Sequence, residues 1–478
     1  MTKGRHNRKQ SIVKKSFFIL AVLLFLLPHD SRALEQPVKK LSLRECISIA
    51  LKNATSVKKA ENNLQLEGAD LLRSYGSFLP RVTSSSSYVP RSVNRAYSPM
   101  SSGTVIPVSD ATIKTRTETA SLNFALTASL NLFNGFSDYA GLQSTLDMKH
   151  ASGFTLQRAR EAVAYDVTQN YYQVLLNQEL LGIARENLES ARDLLTLTDR
   201  QFNIGLKSVT DLYQQQAEVG NNALSAIRAE NQLRRSKFEL LRRLRIDPRT
   251  DFSLEPVDTG LMASFSPELN IDDYATSSIS NRADLKARAL ERDAARWDVR
   301  RAAGNLLPKL DLAFTTSTSA IDSYNMSALG QTYDFPYPSV NRQLRNGTDY
   351  SVSLNFSWTI FDGFQTRYNV ETAKIARMNR QLDYEELKDG IVIDLQQVAG
   401  DYRAAFTQIE SAKINLKASE SAYAGVLRKY ELGASGFVEL SVSRAALFNA
   451  RSAMTQASYN LALQKALLDF TAGRTTIE

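Results

Sequence analysis

Phe133-Asn134-Gly135-Phe136 and Phe361-Asp362-Gly363-Phe364 are one tetrapeptide written twice, 228 positions apart, with Asn exchanged for Asp. The same spacing joins Asn53 to Asn281 and Leu79-Pro80 to Leu307-Pro308. On the other side it joins Asp166 to Asp394, Arg200 to Arg428, Ile204-Gly205 to Leu432-Gly433 and Leu212 to Leu440. A constant offset over so many landmarks leaves no net insertion in either copy. Lengths are therefore set by geometry, where ordinary loops would drift. The chain is a tandem duplication. The first unit spans 34–245, a connector 246–270, and the second unit 271–478.

Within each unit the hydrophobic period changes. Residues 42–76 and 272–304 are rich in Ala, Leu, Glu, Lys and Arg and read as helices, stopped near Gly76-Pro80 and Gly304-Pro308. Strict alternation follows. Leu122, Phe124, Leu126, Ala128, Leu130 and Leu132 alternate with polar residues such as Ser121, Asn123, Thr127 and Asn131. In the second unit Tyr350, Val352, Leu354, Phe356, Trp358 and Ile360 alternate with Ser351, Ser353, Asn355, Ser357 and Thr359. A period of two with one apolar face predicts β-strands. Shorter partner strands are expected from Val82 to about Tyr88 and over Leu310–Phe314, with long loops around Pro99, Pro107, Pro336 and Pro338. Helical composition returns over 139–201 and 367–429, proline-free runs of about 95 Å if continuous. Turns at Gly205 and Gly433 lead into second helices ending near Leu244 and Phe470. The two shorter helices of each unit together match the long one and could lie beside it, stacked end to end. Helices this long need neighbours along their length.

The formal charge of +8 over 478 residues is misleading as a nucleic-acid signal. Residues 1–33 hold seven of the basic groups against Asp30 alone, and the remainder is close to neutral. Basic residues from Arg5 to Lys15, an apolar run Phe17–Leu27 and Ser31-Arg32-Ala33 form an export signal with a cut before Leu34. The apolar run covers roughly 16 Å, about half a bilayer core, too short for an anchor. Cys46 is the single cysteine, so no intrachain disulfide exists. No histidine-cysteine metal set, phosphate-binding glycine loop or nucleophile elbow is present, and carboxylates are scattered along helices among Lys and Arg. The reading is a non-enzyme with no cofactor, no metal and no nucleic-acid partner.

An exported chain with strands apolar on one face and polar on the other fits a barrel in the outer membrane, apolar to lipid and polar to a wet lumen. Four strands cannot close a barrel, and an open edge in lipid leaves backbone groups unsatisfied. Two chains would supply eight strands around a lumen filled by side chains; three would supply twelve and a passage. A soluble periplasmic coiled-coil scaffold or adhesin is the competing reading, and it requires sustained heptads.

The duplicated unit, the Leu-Pro before each hairpin, the Phe-Asn/Asp-Gly-Phe after it and Asn281-Arg282-Ala283-Asp284-Leu285 together resemble the TolC family of outer-membrane factors over residues 41–471. The resemblance implies a mainly α protein with a membrane β-barrel: a homotrimer carrying a 12-stranded β-barrel on a 12-helix periplasmic α-barrel, with an equatorial belt partly from the connector. It implies an exit duct for efflux or type I secretion, working with a periplasmic adaptor and an inner-membrane pump. Its tip, Ile204-Gly205-Leu206-Lys207-Ser208-Val209-Thr210-Asp211, is similar to the family's gate sequence. That similarity assigns Thr210, Asp211 and Tyr430 to contacts closing the entrance, with Glu439 as a further acidic position. Gly205, Leu206, Gly433 and Ala434 would form the turns that meet an adaptor. Ser435 and Val442 stand where the compared family member has an arginine and a second aspartate. Ser208-x-x-Asp211 is also a capping box, and Gly436-x-x-Glu439 a weaker version of one.

Overall fold

The computed structural model describes residues 39–99, 112–256, 268, 270–328, 330–334 and 336–475. The expected export signal and part of the connector lie outside the described residues.

The first unit runs β1 (Lys39–Leu41), α1 (Leu43–Asn53), α2 (Thr55–Gly76), β2 (Arg81–Pro99), β3 (Thr112–Phe133), α3 (Ser137–Asn203) and α4 (Val209–Leu244). The connector contributes β4 (Phe252–Leu254). The second unit runs α5 (Ile271–Asn281), α6 (Ala283–Ala303), β5 (Lys309–Ala328), β6 (Gln331–Asp334), α7 (Val340–Asn346), β7 (Thr348–Ser357), α8 (Gln365–Glu431) and α9 (Phe437–Thr471). The long helices α3 and α8 have 67 residues each, or about 100 Å. One part of α3 packs against α2 and another against α4, so the shorter helices do lie along it. It also touches α6 and α9, and α8 packs on the same two helices.

The stretches expected as single helices over 42–76 and 272–304 are each broken. Ala54 and Arg282 take extended ψ angles of 127° and 122°, giving two helices where composition suggested one. At the first break Asn53 Nδ2 donates to Leu244 O at 3.1 Å, occupying a carbonyl at the end of α4. The repeat thus interlocks its first helix with its last.

The strands share one sheet in the order β2-β3-β5-β7, all neighbours antiparallel, with β6 pairing the far end of β5. Side-chain rows alternate as the sequence requires. Val82, Ala128, Phe314 and Val352 lie in one row; the next holds Thr83, Thr127, Thr315 and Ser351. The Thr127 and Thr315 hydroxyls are 3.3 Å apart on the polar face. Val82, Tyr88, Phe124, Leu126, Phe314, Val352, Leu354 and Phe356 are all exposed on the apolar face.

Three strand expectations differ from the structure. β5, expected over Leu310–Phe314, runs from Lys309 to Ala328 because β3 pairs it along that length. β2 continues to Pro99 because β3 offers a longer partner, and cross-strand pairing overrides a Ser-rich composition. The register shifts between Val89 and Ser92, which accommodates Pro90, a residue that strands tolerate at bulges and edges. β7, in contrast, stops at Ser357 although the alternation continues to Ile360. Trp358 Nε1 donates to Leu306 O at 3.1 Å there. The stretch expected as a loop around Pro336 and Pro338 leads into α7, whose Gln343 amide donates to Ile321 O and accepts from Ile321 N. A side chain thereby does what a strand residue would do in the gap between β6 and β7.

The largest buried cluster lies at the helix equator, where α1, α3, α4 and the connector meet around Cys46, Tyr171, Leu240, Leu244, Phe252 and Leu254. β1 pairs with β4 in parallel. Tyr171 ties both strands by donating to Leu41 O and Glu255 O, at 3.2 and 2.7 Å. No helix among the described residues is long and apolar enough to cross a membrane.

Candidate functional site at the helical tips

Each pair of long and short helices ends in the same turn. Gly205 and Gly433 have φ of +78° and +74°, a conformation glycine adopts without the Cβ penalty. Leu206 N donates to Gln201 O and Gly205 N to Phe202 O; Ala434 N and Gly433 N repeat this with Lys429 O and Tyr430 O. Both are Schellman closures of a helix C-terminus. They leave Ile204, Leu206 and Leu432 exposed at the extreme end.

The second helices start differently. Ser208 Oγ accepts from Asp211 N at 3.1 Å, while the Asp211 carboxylate accepts from Ser208 N at 3.2 Å, a complete capping box. Gly436 has no side chain to cap α9, so the second box does not form. Glu439 instead accepts from Ser435 Oγ at 2.6 Å, which fixes the acid beside the turn. Thr210 is exposed.

Tyr430 does not meet Asp211. It is 1% exposed, packed with Leu194 and Leu440, and its hydroxyl lies 3.2 Å from Thr198 Oγ1. Lys207 Nζ sits 4.1 Å from the centre of its ring. The contact anticipated between Tyr430 and Asp211 is thus replaced within the chain by two separate ones. Asp211 is held by its own cap, and Tyr430 joins α8 to α3. Thr198 was missed, and its signal was weak: the repeat partners of Thr198 and Tyr430 are Val426 and Phe202, so the hydroxyl pair exists once and not twice.

A second unanticipated contact joins the two helix pairs farther from the tip. Arg444 on α9 is fully buried and donates through Nη2 to Glu218 Oε1 on α4 at 2.8 Å. Asn222 donates to the same oxygen and accepts from Asn187, extending the polar seam onto α3. No arginine replaces the one missing at Ser435, but an arginine–carboxylate pair nonetheless bridges the two halves.

Four amphipathic strands with open edges, continued by helices of about 100 Å that end in two matched tips, define the subunit of an outer-membrane channel. The sequence matches the profile of the family described as "Outer membrane efflux protein" over residues 46–244 and 275–474, one segment in each repeat. Outer membrane protein TolC of Escherichia coli K12 is 24% identical over 357 residues, 70% of this chain and 67% of the relative. The chain therefore spans about two thirds of that relative's length. Among solved structures, CusC superposes with a TM-score of 0.74 at 15% identity, covering 91% of this chain and 93% of that one. The CmeC outer membrane channel of Campylobacter jejuni superposes with a TM-score of 0.71 at 17% identity, covering 90% and 85%. The chain belongs to the outer membrane efflux protein family.

Proposed function

We propose that the protein is the exit duct of an efflux or type I secretion system, a passive conduit whose tip is opened by a periplasmic adaptor and an inner-membrane pump. The observation carrying this reading is the sheet. Its apolar side chains are exposed on all four strands, and among the described residues its edge strands β2 and β7 each pair on one side only and no helix is long and apolar enough to span a membrane. A soluble scaffold would have to leave that face in water. A membrane barrel gives it lipid.

Four strands per chain need closure, and three copies supply twelve strands and a lumen wide enough to conduct. In such a homotrimer, Asp211 and Glu439 would form acidic rings near the periplasmic entrance, disfavouring anions. Thr210 and Tyr430 would stand beside them as gate residues. Gly205, Leu206, Gly433 and Ala434 would present the turns that an adaptor meets. An open apolar groove between α8 and α9, lined by Ala422, Val426, Val438 and Val442, supports that use of the tip.

Purification from outer membranes, mass measurement in detergent and planar-bilayer recording test the proposal together. Trimers producing discrete cation-selective conductance are expected. A stable monomer with no conductance would overturn it.

A further inference from the structure

The polar and apolar faces of the sheet separate where β3 enters α3. Asn131, on the polar face, donates through Nδ2 to Asp138 Oδ2 at 3.1 Å, so that side of the first helical turn prolongs the polar face. On the other side the pairing with β5 shifts by one residue between Asn131 and Phe133, which puts Phe133 in the apolar row of Leu310. Phe136 meets Phe133 edge to face, the ring centroids 5.2 Å apart. Tyr139 lies one helical turn further along the same side. Phe136 and Tyr139 are both exposed. The apolar face of the sheet thus runs down onto α3 as a file of aromatic rings.

α6 continues the file. Trp297 stands edge to face against Tyr139 with ring centroids 5.9 Å apart, and Arg300 lies over the Trp297 ring, its Cζ 4.4 Å from the centroid. Arg300 is exposed in the last turn of α6, just before the exposed Leu306 and Leu307 lead into β5. The other arginines along this helix have carboxylates: Arg288 pairs with Glu291, Arg292 and Arg296 with Asp293, and Arg301 with Asp298. Among the described residues Arg300 has no carboxylate within ion-pair distance, only the indole. The duplication does not impose this arrangement, because Ala69 and Leu72 occupy the positions equivalent to Trp297 and Arg300.

We infer that Arg300 and Trp297 bind the phosphate of an anionic glycerophospholipid in the periplasmic leaflet, one lipid to each chain. The inference rests on the membrane-barrel reading above and adds a headgroup site at the barrel's lower rim. A guanidinium held over an indole keeps its N–H donors free around its edge, in the fork that grips two phosphate oxygens. With no carboxylate competing, a phosphodiester supplies the missing anion through charge-assisted hydrogen bonds. The rings from Phe133 to Trp297 give the same lipid an apolar surface for the start of its acyl chains. Aromatic side chains favour that depth, where the hydrocarbon meets the headgroups. The remaining arginines of α6 are neutralised by their own carboxylates, so the attraction is local to Arg300.

The chain's two tryptophans, Trp297 and Trp358, allow a direct test in reconstituted vesicles. Trp358→Phe leaves Trp297 as the single reporter. Phosphatidylglycerol brominated high on its acyl chains, in unlabelled phosphatidylcholine, should quench it with an apparent affinity about fivefold above that of brominated phosphatidylcholine. That ratio corresponds to about 1 kcal/mol for one arginine at a membrane surface. Arg300→Gln should erase the preference, and Arg301→Gln, whose charge is already paired, should leave it unchanged. Equal quenching by both lipids, a preference that survives Arg300→Gln, or an equal loss in Arg301→Gln would overturn the site. Inorganic phosphate, compared with chloride at the same ionic strength, should leave the preference in place. Its collapse would mean a site for free anions and overturn the lipid assignment. Trp297→Phe leaves Trp358, at the end of the apolar face, to report on the barrel itself. Quenching of Trp358 without a lipid preference at Trp297 would sink the lipid site and leave the duct reading standing. No quenching of either tryptophan would overturn both.

Discussion

The hydroxyl of Tyr430 lies 3.2 Å from Oγ1 of Thr198, both groups buried, and this bond joins the last turn of α8 to α3 just behind the tip. It is the polar contact nearest the tip between the two long helices. Thr198→Val should cost about 1–3 kcal/mol, because it strands the tyrosine hydroxyl without a partner. Tyr430→Phe should cost about 1 kcal/mol, and the double variant less than the sum of the two. Urea unfolding measures the cycle, and the Tyr430→Phe trimer should conduct more in planar bilayers. Strict additivity would mean the bond carries no coupling.

Asp211 acts first through its capping box. Asp211→Ala and Ser208→Ala should each weaken the start of α4 by about 1 kcal/mol, and the double variant should lose more than either alone because the box is two separate hydrogen bonds. Hydrogen exchange over residues 209–214 reads this directly. A rise in conductance from Asp211→Ala without the same rise from Ser208→Ala would separate a gate role from the cap.

Gly135 and Gly363 have the same φ, within a degree, and different surroundings. Alanine at either bears the left-handed penalty of about 1–2 kcal/mol. Only Gly135→Ala also strikes the backbone of Gly304, so it should give little folded protein. Gly363→Ala, whose Cβ would meet nothing within 4 Å, should yield a folded chain. Circular dichroism and urea unfolding distinguish the two outcomes.

Asp284 provides a pH-dependent brace. Burial raises its pKa, but the hydrogen bonds from Arg282, at 3.0 and 2.6 Å, and the charge of Arg158 at 3.4 Å outweigh that and hold the carboxyl below its usual value. A depressed folded pKa means the stabilisation is present above the unfolded value of 3.8 and is lost as pH falls through the folded one. Arg282 also reaches Thr471 O, so the brace ties α6 to the end of α9. Asp284→Asn should remove about 1.5–3 kcal/mol at neutral pH and flatten the acid limb of the stability profile. Thermal melts between pH 3 and pH 7 check both.

The duplication, the long helices to within a few residues, the period-two strands and the glycine turns at both tips are all legible in the sequence alone. These are local or periodic properties, and a constant offset cannot be hidden by side-chain chemistry. It also carried the capping box at Ser208-x-x-Asp211, because both partners lie within one helical turn. Tertiary structure decided the rest. The helix breaks at Ala54 and Arg282, the extension of β2 past Tyr88 and the strand-like role of Gln343 depend on partners far along the chain. So do the pairing of Tyr430 with Thr198 and of Arg444 with Glu218, at separations of 232 and 226 residues. Those contacts break the repeat symmetry that made the fold legible. Which side chain fills a position at a packed seam depends on what the opposing helix presents there, and no period in the sequence encodes that.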